Sequence, residues 1–249
     1  MRNLVHGAIF TRGPKDLKHT AVFIGGSSVA AGEAMLEAVR KSFFGPLRVS
    51  LMLDANGANT TAAAAVLAAR RELPLQGARA LVLGGTGPVG QRAARLLAPE
   101  GAAVRVGSRQ LDRATQVCAA ITRVAPNAKL EPVATGSAAE LAAALAGVQL
   151  VIVAGAAGAV LLPKAARIAC PTLHVAVDLN AVPPSGIEGV ESTDAGTERE
   201  GVKCYGAIGV GATKMKIHKA AIAQLFDRND LVLDAEEIYQ LGIKVTSSA

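Results

Sequence analysis

A glycine-rich turn carries the clearest chemical signal in the sequence. The apolar run 80–83 leads into Gly85-x-Gly87-x-x-Gly90, after which apolar residues recur at helical spacing. A strand, turn and helix in this order are typical of dinucleotide binding, because the free N–H groups of the helix start attract a pyrophosphate. We interpret Gly85 as the residue that allows the turn, Gly87 as the point of phosphate approach and Gly90 as a packing glycine. A turn that serves packing alone is the alternative.

The cofactor-binding residues predicted from this turn are Gly85, Thr86, Gly87, Pro88, Val89 and Gly90. The end of the next predicted strand, 103–106, indicates which dinucleotide binds. An Asp or Glu about twenty residues after the glycines usually binds the ribose 2′-hydroxyl of NAD, but Gly107-Ser108-Arg109 stands there. Ser108, Arg109 and, one helical turn further on, Arg113 can bind a 2′-phosphate. The sequence therefore predicts NADP and leaves NAD open; an Arg109 that is merely solvated is the alternative.

Strands and helices alternate strictly from Arg79 onwards. The predicted strands are 80–83, 103–106, 129–134, 148–153 and 173–177, and the predicted helices are 88–98, 111–123, 137–145 and 163–168. This alternation implies an α/β fold of the Rossmann type, a doubly wound parallel sheet with helices on both faces. Ligands bind beyond the carboxyl ends of such strands. The residues after the later strands, Ala154, Gly155, Ala156, Asp178 and Asn180, are therefore further candidates for cofactor binding.

The rest of the chain predicts a smaller α/β domain. Its predicted elements are a strand at 20–24, a helix at 29–43, a strand at 47–53 and, after the polar loop 54–61, an alanine-rich helix that reaches Arg71. Beyond a second glycine-rich loop, 206–211, we expect a helix at 213–226 and a last helix from about Asp234. The predicted domains are residues 1–70, completed by 231–249, and a cofactor-binding domain over 71–230.

Composition and charge exclude several classes of function. The net charge is +6, aromatic residues make up 3% and there is no Trp. Without stacking aromatics or a block of basic residues, nucleic acid is not an expected partner, and small anionic ligands are favoured. The uncharged stretch 141–163 is long enough to span a membrane, but its glycines divide it into a helix end, a strand and a loop. We therefore expect no membrane association.

The cysteines and histidines show no spacing typical of a metal site. The three cysteines, Cys118, Cys170 and Cys204, are far apart and odd in number, and the four histidines lack ligand spacing. This pattern predicts no metal and indicates a reducing compartment, so we expect a cytoplasmic protein.

Several segments together indicate a family. They are Thr11-Arg12-Gly13, the runs 20–26, 43–46 and 52–61, the glycine turn 85–90 and Asp234-Ala235-Glu236-Glu237-Ile238-Tyr239. From about residue 4 to residue 242 the chain resembles the bacterial NAD(P)-dependent methylene-tetrahydromethanopterin dehydrogenases, some of which also accept methylene-tetrahydrofolate. The resemblance implies a pterin-binding domain beside the Rossmann domain, and a cytoplasmic enzyme of one-carbon metabolism. Its substrate would be oxidised to the methenyl form by direct hydride transfer. We also expect a homo-oligomer.

The resemblance implies a site that works by positioning and electrostatics. Lys214, after the second glycine-rich loop, is the candidate catalytic residue, and Gly209 in that loop is a candidate for cofactor binding. A solvated lysine is the alternative for Lys214. The candidate substrate-binding residues are Lys15, Asp54, Asn56, Asn59 and Thr60. Capping of the following helix by Asn59 or Thr60 is a structural alternative that is compatible with binding.

One departure from the family concerns the N-terminus. Members usually begin about forty residues earlier, and loss of the strand and helix found there would leave a sheet edge exposed. Two further functions remain open on the sequence alone. One is a Rossmann dehydrogenase of the shikimate or amino-acid type, which commonly needs a lysine–aspartate pair. The other is a non-catalytic NADP-binding protein.

Overall fold

A computed structural model of the protein describes residues 1–247. The α-helices of this range are α1 (Arg2–Ile9), α2 (Val29–Arg40), α3 (Ala58–Glu72), α4 (Pro88–Leu97), α5 (Leu111–Val124), α6 (Ala138–Leu145), α7 (Lys164–Ile168), α8 (Ala207–Gln224) and α9 (Ala235–Ser247). The strands are β1 (Ala21–Ile24), β2 (Ser50–Leu53), β3 (Arg79–Leu83), β4 (Ala103–Ser108), β5 (Lys129–Ala134), β6 (Leu150–Val153), β7 (Val175–Asp178), β8 (Ala195–Arg199), β9 (Val202–Tyr205) and β10 (Val232–Leu233).

The chain divides into two compact units. Unit 1 contains residues 1–60 together with the segment from Thr213 onwards, and unit 2 contains residues 61–212. The boundaries fall inside α3 and α8. The division into functional domains at 1–70 with 231–249 and at 71–230 stays a prediction.

Unit 2 is built on a seven-stranded sheet in the order β5-β4-β3-β6-β7-β9-β8. Its strand pairs are parallel except for β8 and β9, which form an antiparallel hairpin. The order runs one way from β3 to β5 and the other way from β6 to β9, so the switch point lies between β3 and β6. Ligands of such sheets bind at the carboxyl ends beside the switch point. The predicted Rossmann-type fold is confirmed.

The central strands of unit 2 are apolar on both faces. Leu81 and Leu83 in β3 and Val151 and Val153 in β6 are buried in one hydrophobic cluster, to which α6 contributes Leu141. Strands that helices cover on both faces become continuous apolar runs rather than alternating ones. Because β3 and β6 pair directly, the turns after them lie side by side.

Unit 1 has a three-stranded parallel sheet in the order β1-β2-β10. Its core packs Val5 and Ile9 of α1 and Leu36 of α2 against buried β2 residues such as Leu51. Because the three strands are parallel, Asp54, which follows β2, and Asp234, which follows β10, emerge at the same edge of this sheet.

The structure differs from the prediction at two places in unit 2 and α8. The hairpin of β8 and β9 was not predicted, because β8 is a polar edge strand without an apolar pattern. Helix α8 begins at Ala207, so the predicted second glycine-rich loop is mostly its first turns. Two of its glycines serve close packing: a Cβ on Gly206 would lie 2.1 Å from the Glu191 carbonyl oxygen, and one on Gly209 would lie 1.7 Å from that of Asp194.

Candidate active site

The turn after β3 presents bare backbone at the start of α4. Gly84, not Gly85, adopts the left-handed conformation, with φ +69°, so it is the residue that allows the turn. Gly85 is required for space, because a Cβ there would lie 2.7 Å from Val106 Cγ1. Gly90 brings α4 close to the strand, as predicted: its Cβ would lie 2.4 Å from the carbonyl oxygen of Gly84. Gly87 precedes the helix, and no side chain caps it. Such an uncapped start is suited to an anion.

A cavity of 380 Å³ lies beside this turn, at the switch point of the unit 2 sheet. The lining residues are Leu83, Gly84, Thr86, Gly87, Ser108, Arg109, Gln110, Arg113, Thr135, Ala154, Gly155, Ala156, Ala159 and Leu161. The structure thus brings together eight of the predicted cofactor-binding residues: Thr86, Gly87, Ser108, Arg109, Arg113, Ala154, Gly155 and Ala156. Gly85, Pro88, Val89 and Gly90 complete the adjacent turn and helix start without lining the cavity.

The cavity is basic where β4 ends. Arg109 and Arg113 are exposed, and neither forms an ion pair within residues 1–247. The Ser108 hydroxyl oxygen accepts a hydrogen bond from the Gln110 backbone N–H at 3.1 Å, which leaves the hydroxyl proton free to donate to a ligand. Among the described residues, no carboxylate lines the cavity. This end can therefore hold a phosphate between one hydroxyl and two guanidinium groups.

Asp178 and Asn180 form hydrogen bonds with the backbone next to the cavity, including that of Ala156 in the cavity lining. The buried Asp178 carboxylate accepts hydrogen bonds from the backbone N–H groups of Asn180 and Ile187, at 3.0 and 2.9 Å. Burial nonetheless raises the pKa of this carboxyl above its ordinary value. The Asn180 amide donates to the carbonyl oxygen of Ala156 at 3.3 Å. Both residues thus order the backbone behind the cavity, and direct contact with the cofactor stays a prediction.

Gly209 lies in the first turn of α8, and its N–H group is already engaged. The backbone N–H groups of Ile208 and Gly209 donate to the carbonyl oxygen of Ser192 at 2.8 and 3.1 Å. Gly209 is not among the residues that line the cavity. Its role in cofactor binding stays a prediction.

Three of the predicted substrate-binding residues form a buried cluster in unit 1. Asp54 Oδ1 accepts hydrogen bonds from the backbone N–H groups of Asn59 and Thr60, at 3.0 and 3.1 Å, and Asp54 Oδ2 accepts one from the Thr60 hydroxyl at 2.7 Å. The Asn59 amide donates to the carbonyl oxygen of Leu53 and to Asp234 Oδ1, at 2.6 and 2.9 Å. These polar groups therefore hold the ends of β2 and β10 together.

The remaining predicted residues of unit 1 have accessible side chains. Lys15 is exposed in a short 3₁₀ helix, Pro14–His19. Asn56 is exposed, with φ +55°, two residues after Asp54. Lys214 is half-buried within α8 rather than at the helix start expected from the sequence.

The sequence analysis missed several residues of the two sites. Thr135 follows β5 at the carboxyl edge of the sheet, so the same rule that identified Ala154 could have found it. Gln110 is the N-cap residue of α5. In unit 1, the ring of His218 lies beside Asp54, with Nδ1 at 3.5 Å from Oδ2. No local signal indicates that contact, since the two residues are far apart in the sequence.

Comparisons with known proteins identify the family. Residues 1–56 match a family profile described as methylene-tetrahydromethanopterin dehydrogenase, N-terminal. The bifunctional protein MdtA of Methylorubrum extorquens is 48% identical over 242 residues, which cover 96% of this chain and 83% of that protein. The chain belongs to the methylene-tetrahydromethanopterin dehydrogenase family. The family predicted from the sequence motifs, and with it the class of oxidoreductase, is confirmed.

A second relative and a solved structure extend the comparison. The NAD(P)-dependent methylenetetrahydromethanopterin dehydrogenase of the same organism is 29% identical over 264 residues, covering 98% of this chain and 85% of that protein. The crystal structure of transhydrogenase from Sinorhizobium meliloti matches with a TM-score of 0.54 at 17% identity, covering 95% of this chain and 77% of that one, and so supports the fold alone. These matches do not favour either alternative function. Across residues 1–247, no helix is long and apolar enough to cross a membrane.

Proposed function

We propose that this dehydrogenase oxidises methylene-tetrahydromethanopterin to its methenyl form, with NADP as the preferred cofactor and direct transfer of a hydride. Family membership and the NAD(P)-dependent relative support the substrate and the reaction. The observation that carries the cofactor choice is the cavity end formed by Ser108, Arg109 and Arg113, where no described carboxylate stands to bind a ribose 2′-hydroxyl. Methylene-tetrahydrofolate is a second candidate substrate, and NAD a second cofactor.

The residues around the cavity fit a dinucleotide. Gly87 lines the cavity without a side chain, so a ligand can approach its backbone closely. The start of α4 is suited to the pyrophosphate, and the guanidinium groups of Arg109 and Arg113 to a 2′-phosphate. When bound, NADP supplies the hydride acceptor.

The reaction requires the protein to position the substrate and does not require a catalytic base. As the C–H bond of the methylene bridge breaks, the adjacent nitrogen lone pairs stabilise the cation, so no side chain has to remove a proton. Lys214 is proposed to orient a pterin oxygen through its ammonium group. Positioning and fixed charges of this kind supply a large part of enzymic rate enhancement. Lys15 and Asn56 are proposed to add contacts to the substrate.

The test of this function is a spectrophotometric assay of purified protein. Methylene-tetrahydromethanopterin and methylene-tetrahydrofolate are each offered with NADP and with NAD. We expect reduction of NADP with methylene-tetrahydromethanopterin to give the highest kcat/KM. Absence of turnover with both pterins would contradict the proposal.

Light scattering of the same sample measures the homo-oligomeric state, which stays a prediction.

Replacing Arg109 by alanine is expected to weaken NADP binding selectively. Loss of a charge-assisted hydrogen bond to the 2′-phosphate should cost about 1.5–3 kcal/mol, while NAD, which lacks that phosphate, should bind as before. Calorimetric titration of both cofactors measures the difference. The control is Arg123→Ala, an exposed arginine in the last turn of α5. Equal losses for NADP and NAD would show that Arg109 does not bind the 2′-phosphate.

A further inference from the structure

The carboxylate of Asp54 has one neighbour that is not part of the α3 helix start. Asp54 is buried, and three hydrogen bonds reach it from Asn59 and Thr60. The fourth polar group beside it is Nδ1 of His218, at 3.5 Å from Oδ2. His218 lies on α8, so this contact joins the end of β2 to that helix within unit 1.

The His218 ring faces Asp54 with its Nδ1 side. Nε2 therefore lies on the opposite side of the imidazole, where it can meet another partner. The side chain of His218 remains 31% exposed, whereas that of Asp54 is 2% exposed. The imidazole, and not the carboxylate, is therefore the group of this pair that a ligand can reach.

An exposed aromatic ring adjoins the imidazole. Phe23 at the end of β1 contacts His218 edge to face, with ring centroids 5.9 Å apart, and remains 46% exposed. Lys214 stands four residues before His218 on α8, and residues at this spacing share one helix face. A ring nitrogen, an apolar ring and an ammonium group thus lie on one side of unit 1.

We propose that His218 binds the pterin ring of the substrate through Nε2, and that Asp54 is the positioning residue that holds the imidazole for this contact. The proposal rests on the function proposed above and names residues of its substrate site. A pterin is a flat heterocycle with apolar faces and N–H and C=O groups at its edge. Phe23 offers an apolar contact to a face, and Nε2 of His218 a hydrogen bond to the edge. Asp54 thus acts through His218 instead of touching the substrate.

The two amide replacements of His218 separate substrate binding from structural support. The side-chain amide of glutamine places its oxygen or its nitrogen at about the position of Nε2, so it can accept or donate a hydrogen bond there, whereas the amide of asparagine occupies the position of Nδ1. We expect His218→Asn to raise the KM for methylene-tetrahydromethanopterin roughly tenfold, the equivalent of one lost hydrogen bond, and His218→Gln to restore most of it. The affinity for NADP should stay unchanged in both variants. The matched control is His174→Asn, an exposed histidine of unit 2.

Other patterns of these variants would overturn the proposal. If asparagine restores the KM and glutamine does not, His218 only supports Asp54. A wild-type KM in both variants would show that the imidazole has no contact with the substrate. If both variants lose affinity for the pterin to the same extent, a binding measurement on the wild-type protein decides between a direct contact of His218 with the pterin and a purely structural role.

That measurement is nitrogen NMR of the protein labelled at histidine with ¹⁵N, titrated with tetrahydromethanopterin in the absence of NADP. We expect the Nε2 signal of His218, assigned with His218→Gln, to shift while those of His19 and His174 do not. Turnover by the wild type without this shift would overturn the role of His218 and leave the proposed function intact. A shift without turnover would uphold pterin binding by His218 and contradict the proposed function. Neither turnover nor shift would contradict both.

Discussion

Valine in place of Gly87 should abolish NADP binding and leave the fold intact, whereas alanine in place of Gly90 should destabilise unit 2. A side chain on Gly87 would enter the cavity where the pyrophosphate is proposed to lie, and its own Cβ contacts, at 3.3 and 3.4 Å, need shifts of only a few tenths of an ångström. We expect the NADP affinity to fall at least about a hundredfold, which is roughly 2.7 kcal/mol.

At Gly90 a Cβ cannot be accommodated by small shifts. Its Cβ would stand 2.4 Å from the carbonyl oxygen of Gly84 and 2.9 Å from the Cα of Gly85, and both are backbone atoms of the turn. Forcing α4 away from β3 should cost about 3 kcal/mol, which lowers the melting temperature by roughly 10 °C in a chain of this size.

Calorimetry and NADP titration of the two variants side by side test the proposed roles of these glycines. Normal NADP binding by Gly87→Val would place the pyrophosphate elsewhere. A wild-type melting temperature for Gly90→Ala would show that α4 does not need close contact with β3.

Replacing Lys214 by alanine should lower kcat about a hundredfold, as removal of one preorganised polar group commonly does, while NADP affinity changes by less than about twofold. If Lys214 orients the pterin, its loss is felt most in the transition state, and the remaining rate should show no new pH dependence. Steady-state kinetics between pH 5 and pH 9 measure both effects.

Lys219→Ala is the matched control for Lys214→Ala. Lys219 is exposed on the same helix and lies on a different face of α8 from Lys214. Unchanged kinetics in Lys214→Ala would identify Lys214 as a solvated lysine and leave the positioning of the pterin to other residues, including His218.

The sequence predicted unit 2 well because its signals are local. A strand buried on both faces must be a short apolar run, and the run 80–83, followed by glycines and a helical pattern, indicated a strand, a turn and a helix wherever the rest of the chain lay. The polar residues after β4 likewise pointed to the cavity end, because parallel strands bring their carboxyl ends to one edge. The positions of Ser108, Arg109 and Arg113 in the sequence are therefore enough to predict that they lie at this edge.

The hairpin of β8 and β9 and the start of α8 could not be read in the same way. Strand β8 is an edge strand with polar residues such as Glu198 and Arg199, so no alternating apolar pattern reveals it. The turn between the two strands, Glu200-Gly201, has positive φ at both residues. In the sequence only Gly201 marks this turn, because a glutamate is not typical of a positive φ. The glycines at 206 and 209 were interpreted as part of a loop, but Gly206 directly precedes α8 and Gly209 lies in its first turn, where close packing against residues 191–195 leaves no space for a Cβ.

The sequence by itself determined the family, the Rossmann-type fold and most of the cavity, because the strand, turn and helix signals that carry them lie within short stretches of chain. Only the tertiary structure decided which polar residues are available to a ligand. Asp54, Asn59 and Thr60 look alike as polar loop residues, yet their groups are bonded to one another at the end of β2. The accessible group beside them is His218, more than 150 residues away in the chain. Contacts between segments so far apart depend on how helix and sheet pack, and no periodicity or spacing in the sequence encodes them.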